Sequence, residues 1–114
     1  MPEPAPFAVS AADRAGARVI TVSGEVDAHT AEHVRTPIEA AVGPGARVVV
    51  DLSDVTFMDS TGLGIFVIAF KHLREQEGSL DLVITSPRVL KVFSLTGLDV
   101  VIPIHDALET ALAP

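Results

Sequence analysis

The chain has 114 residues, enough to enclose one hydrophobic core but rarely two, and its 48% hydrophobic content includes only 4% aromatics, so Val, Ile, Leu and Ala must fill that core. Fifteen acidic against eight basic residues leave a net charge of -7, a field that repels nucleic acid and anionic membranes and favours a cationic partner patch, although solubility alone also accounts for it. There is no cysteine, which excludes a disulfide scaffold, a thiolate metal site and a cysteine nucleophile.

Met1 to Pro6 carries Glu3 and three prolines in place of a basic region and an apolar run, so it reads as a short flexible tail and not as a signal peptide. The longest apolar stretch, Leu63 to Phe70, is far short of the ~18 residues that span a bilayer. No membrane insertion is expected, and cytoplasmic residence follows by elimination. Residues 7–114 then form one domain, without internal repeat or linker.

Phe7-Ala8-Val9 and Ala17 to Val22 are β-branched runs separated by Asp13, Arg14 and Gly16, which predicts two strands and a turn, with Gly24 closing the second. Thr30 is placed to cap a helix running to about Val42, in which Ala31, Val34, Ile38, Ala41 and Val42 recur at helical spacing. Pro37 predicts a kink near Val34 or a later start, and Gly43-Pro44-Gly45 stops the segment.

Arg47 to Leu52 is nearly all apolar, as a strand buried on both faces should be, and is placed at the sheet centre. A short segment, Val55 to Met58, leads to a helix over about 61–76. That helix is largely buried, because Leu63, Phe66, Val67, Phe70 and Leu73 line one face and Ile65, Ile68 and Ala69 another. Gly78 ends it, Leu80 to Thr85 is a strand, and Pro87 opens a helix through Leu95, with Gly97 as its natural stop. A strand over Val100 to Ile104 and a helix from about Asp106 to Leu112 close the chain. The class is α/β, an opening hairpin followed by βαβα alternation with parallel pairing in mid-sheet.

Phe57-Met58-Asp59-Ser60-Thr61-Gly62-Leu63-Gly64 stands between a buried strand and a buried helix, where parallel sheets commonly place their sites. Two hydroxyls, a carboxylate and two glycines fall where helix N–H groups lack acceptors, so an anion or another chain's backbone can approach. A serine at such a boundary ordinarily just caps the helix, here at Thr61.

The string from Asp51-Leu52-Ser53 to Phe57-Met58-Asp59-Ser60-Thr61-Gly62-Leu63-Gly64 resembles the signature of the anti-sigma factor antagonists, a STAS-domain family in which the serine after Met-Asp is phosphorylated. Gly24-Glu25-Val26-Asp27-Ala28-His29-Thr30 is similar to the family's Gly-Glu-hydrophobic-Asp turn. Ser86-Pro87 with Leu95-Thr96-Gly97-Leu98 is similar to its closing helix. The resemblance implies a mixed sheet of four or five strands flanked by about four helices. It further implies that the unmodified protein binds an anti-sigma factor, frees a sigma factor, and is released when that factor, a serine kinase, phosphorylates Ser60; a serine phosphatase restores it.

On the same resemblance, Asp27, Asp59, Ser60, Thr61, Gly62 and Leu63 form the partner surface of a free monomer. Asp27 would face a basic residue of the kinase, yet Asp is also an ordinary turn-former before Thr30. Asp59 either orients the serine hydroxyl or shapes the turn. No cofactor or metal is implied: Asp27, His29 and His33 make only a loose zinc pattern, and His72 and His105 read as structural or surface residues.

Catalysis by Ser60 is not expected, since the hydrolase elbow needs glycine where Met58 stands and no phosphate-cradling loop ends in Lys-Ser or Lys-Thr. The alternative role for the same fold is a scaffold subunit of a stress-sensing assembly or of a membrane transporter complex.

Overall fold

The computed structural model describes residues 6–114. The expected tail, Met1 to Pro6, falls mostly outside them; Pro6 itself is tied to the domain, its carbonyl accepting a 2.8 Å hydrogen bond from Ser23 Oγ.

β1 (Ala8–Arg14) and β2 (Ala17–Val26) form a hairpin closed by Ala15-Gly16, both at positive φ (54° and 78°). Such a turn matches the twist of the flanking strands, so Asp13 and Arg14 belong to β1 and not to a loop. Gly24 does not close β2. The strand continues to Val26, with Gly24 at φ 90° beside a register shift against the next strand, so the glycine marks a bulge in place of an end.

α1 (Ala31–Ala41) starts where Thr30 suggested and runs through Pro37 as one helix, so the later start does not occur. A proline removes one helical hydrogen bond, while Val34 and Ile38, both fully buried, pin the segments on either side to the core. β3 (Arg47–Met58) unites the expected strand and the short segment after it into twelve residues. It occupies the middle of the sheet, whose order is β1-β2-β3-β4-β5, antiparallel only between β1 and β2.

α2 (Ser60–Glu75), β4 (Ser79–Val83) and α3 (Pro87–Leu95) follow near their expected limits. The strand expected at Val100 to Ile104 is largely absent. Gly97, at φ 77°, turns the chain into a single 3-10 turn, Leu98–Val100, and β5 is only Ile104–His105. Pro103 has no N–H to give a ladder and contributes only its carbonyl, which accepts from Leu82 N at 2.9 Å. α4 is correspondingly short, Leu108–Leu112.

Helices α1, α2 and α3 cover one face of the sheet, where Ile20, Val22, Val50 and Leu82 meet Ile38, Phe66 and Phe93. α4 covers part of the other face, packing Ala111 and Leu112 on Val19, Val49 and Val83. Arg47 Nη2 holds it there by donating to the carbonyls of Ala111 and Ala113 at 2.8 and 3.0 Å. This layering leaves the carboxyl ends of β2 and β3 as one corner, from which α1 and α2 start.

Candidate functional site at the start of helix α2

The last paired residues of β2 and β3, Val26 and Met58, lie side by side, and the Asp59 N–H donates to the Val26 carbonyl at 3.2 Å. That bond joins the Asp27 turn to the Ser60 turn, so two segments far apart in sequence share one corner. Asp59 is extended (φ -104°, ψ -174°), and its Oδ1 accepts from Gly62 N at 3.0 Å. Asp59 is therefore the cap of α2. The expectation that Ser60 caps a helix at Thr61 is corrected by one residue: Ser60 is the first helical residue.

With the capping position filled, the Ser60 side chain is free of that duty. Ser60 and Thr61 are both exposed, and neither hydroxyl has a hydrogen-bond partner among the described residues. Asp59 takes the N–H groups of Gly62, through its carboxylate, and of Leu63, through its carbonyl at 3.0 Å. The N–H groups of Ser60 and Thr61 are the ones a helix start leaves for an outside acceptor.

The two glycines have different tasks. A Cβ on Gly62 would lie 2.8 Å from both Val26 Cγ1 and the Val26 carbonyl oxygen, so this glycine permits close packing inside the chain and not approach by a partner. A Cβ on Gly64 would meet nothing within 4 Å, so open space lies beside this glycine. Leu63 is also corrected: only 9% exposed, it belongs to the core. The exposed apolar side chains of this corner and of the α2 face below it are Phe57 (37%) and Ile68 (49%). Ile68 stands one turn beyond Gly64 on the helix face that begins at Thr61, a position that the apolar run through residues 63–70 disguised as core.

Asp27 adopts the turn-forming arrangement. Its Oδ1 accepts from His29 N at 2.9 Å and Thr30 N at 3.2 Å, while Thr30 Oγ1 donates to the Glu25 carbonyl and accepts from Asp27 N. Thr30 thus spends its hydroxyl on the turn and makes no side-chain cap for α1. The Oδ2 oxygen of Asp27 has no partner among the described residues, and the side chain is half-buried. Asp27 and Asp59, with exposed Glu25 and Asp54 on the adjoining strands, give the corner an acidic character. Asp51, by contrast, is structural, its Oδ1 accepting from Ser53 N at 3.0 Å and from Ser53 Oγ.

Residues 8–111 match the family model of the STAS domain. The anti-sigma-B factor antagonist of Listeria monocytogenes is 45% identical over 88 residues, 76% of this chain and 77% of that protein. Among solved structures, an anti-sigma factor antagonist from Mycobacterium paratuberculosis superposes with a TM-score of 0.86 at 33% identity, covering 98% of this chain and 96% of the other. The Bacillus cell fate determinant SpoIIAA in its phosphorylated form superposes with a TM-score of 0.70 at 28% identity, covering 94% and 96%.

The chain belongs to the STAS-domain family of anti-sigma factor antagonists.

Three of the four histidines of this STAS domain make side-chain contacts of their own. His33 lies 6.1 Å from the Phe7 ring, His72 Nδ1 is 2.9 Å from Glu39 Oε2 across α1 and α2, and His105 Nε2 is 2.7 Å from Asp81 Oδ2. Among the described residues no three His, Asp or Glu side chains gather closely enough for a metal ion. On the exposed face of α1, the hydrogen bond from Arg35 holds the Glu32 carboxyl below its ordinary range, a pairing remote from Ser60 in the chain. No helix of the described residues is long and apolar enough to cross a membrane.

Proposed function

We propose that this antagonist binds an anti-sigma factor that is also a serine kinase, so freeing a sigma factor, and is released when the kinase phosphorylates Ser60. The observation that carries this reading is the exposed Ser60 hydroxyl at the head of α2, without a hydrogen-bond partner among the described residues and relieved of capping by Asp59. The kinase supplies the chemistry: Ser60 Oγ attacks the γ-phosphorus of ATP, its proton passes to a base of the kinase, and ADP departs. A serine phosphatase hydrolyses the ester and restores the hydroxyl. That SpoIIAA, a structural relative, has been seen in a phosphorylated form supports the reading.

The docking surface in this proposal is the exposed face of α2, Ser60, Thr61, Gly64 and Ile68, flanked by Phe57 and the Asp27 turn. Gly64 lets a partner's backbone approach, Ile68 and Phe57 give apolar area, and Asp27 Oδ2 faces a basic group. Asp59 positions Ser60 by holding the helix start. Leu63 and Gly62 act from behind, fixing α2 against Val26 and the core. The complex forms in the cytoplasm, and the antagonist itself turns over no substrate.

Incubation with the candidate kinase and ATP, followed by mass-spectrometric location of the phosphate, tests the assignment. Phosphate on Ser60, absent in Ser60→Ala, is the expected result; phosphate on Thr61 alone, or none, would contradict it.

A further inference from the structure

Among the described residues nothing pairs with the outer edge of β1, the terminal strand of the sheet. A free edge carries a row of unpaired N–H and C=O groups, which proteins usually blunt with lysine, proline or a bulge. Ala8-Val9-Ser10-Ala11-Ala12 has no charge and no proline, and it pairs with β2 without a register shift. Beside it a hollow of about 590 Å³ opens between the edge and α1, lined by Phe7, Val9 and Ala11 on one side and His33 and Pro37 on the other.

We propose that β1 pairs antiparallel with β1 of a second copy of this chain, about a twofold axis at Ser10, joining the two sheets into one. The register follows from side-chain parity and charge. Facing residues of an antiparallel pair lie on the same side of the sheet, so the axis passes through a residue position. At Ser10 it sets Val9 against Ala11 of the other copy on the helix side, a larger side chain filling the space left by a smaller one, twice over. On the other side it sets Ala8 against Ala12. Moving the axis to Ala11 brings Val9 against the Asp13 carboxylate inside the ladder, and moving it to Ala12 brings Ser10 against Arg14; at Ser10 the charged residues fall beyond the paired stretch Ala8 to Ala12, Asp13 opposite Phe7 and Arg14 opposite Pro6. At Val9 only Ala8, Val9 and Ser10 of the strand would overlap.

This size match between Val9 and Ala11 is what favours a second copy over a foreign strand. The free monomer expected from the sequence becomes the low-concentration state. A ladder this short buries less than the ~1,200 Å² of a stable interface, so dissociation constants on the order of 10–100 µM are expected. Two chains of net charge -7 also repel, so the dimer tightens as salt is added. Because β2 separates β1 from β3, the Ser60 corner stays open in the dimer, and the inference stands or falls apart from the proposed function.

Sedimentation equilibrium of the full chain from about 5 µM to about 1 mM brackets that constant. Wild type should pass from monomer to dimer. Ser10→Lys and Ser10→Glu, each placing like charges across the axis, should stay monomeric at concentrations where wild type pairs, with unchanged circular dichroism. An equimolar mixture of the two variants should dimerise again. Wild type that stays monomeric throughout, variants that associate as wild type does, or a mixture that remains monomeric would overturn the proposal.

Discussion

Gly62 and Gly64 are two positions apart on one helix and face opposite constraints. Replacing Gly62 with alanine forces a methyl against Val26, costing about 1–3 kcal/mol of overpacking against about 1 kcal/mol gained in helix propensity. Gly64→Ala meets no neighbour and keeps the propensity gain. Thermal melts should therefore show a lower midpoint for Gly62→Ala and a higher one for Gly64→Ala, while only the latter, once its fold is verified, directly blocks partner approach. Equal shifts in the two variants would refute the division of tasks. The sequence showed that glycines were needed here but not which one faces inward, because that is decided by Val26, brought alongside by the pairing of β2 with β3. The same limit explains Leu63, an apolar residue in a functional motif that turns out to be core, and Ile68, an apolar residue in a core-like run that turns out to be surface.

The start of α2 depends on the Asp59 carboxylate, which both caps the helix and places a negative charge beside Ser60. Asp59→Ala should cost about 1 kcal/mol through loss of the cap, whereas Asp59→Asn should keep most of it, since both residues cap well. Chemical denaturation of the two variants checks this; equal losses would mean that charge, not the hydrogen bond, matters at this helix end. Elements with strong local signals were legible in the sequence: central β3 from its apolar run, α3 from Pro87 and Gly97, α1 from its spacing despite Pro37. The Val100 to Ile104 segment was not. Its β-branched residues suggested a strand, but the turn at Gly97 and the missing N–H of Pro103 leave Val100 87% exposed and β5 two residues long. Likewise the Asp59 cap was hidden by an equally good capping residue, Ser60, one position later.

For the whole molecule, a net charge of -7 and an acidic corner around Asp27 and Asp59 should, on the proposed function, make association with a basic kinase surface sensitive to screening. Binding should weaken as salt rises, and Asp27→Asn should weaken it most at low salt. Measured affinities indifferent to both would assign the contact to Phe57, Gly64 and Ile68 instead. The phosphate itself acts in two ways. On Ser60 it adds about -1.5 to -2 charge at a helix start whose dipole and free N–H groups tolerate an anion, so the fold should survive. At the interface the same group brings bulk, desolvation and repulsion from Asp59, and a loss of about 3 kcal/mol already lowers affinity roughly a hundredfold. Calorimetric titration of the anti-sigma factor with unmodified and Ser60-phosphorylated protein measures this directly. An affinity at least about a hundredfold lower for the phosphorylated protein, with unchanged circular dichroism, is the expected result; equal affinities, with the phosphate confirmed on Ser60, would refute the partner switch.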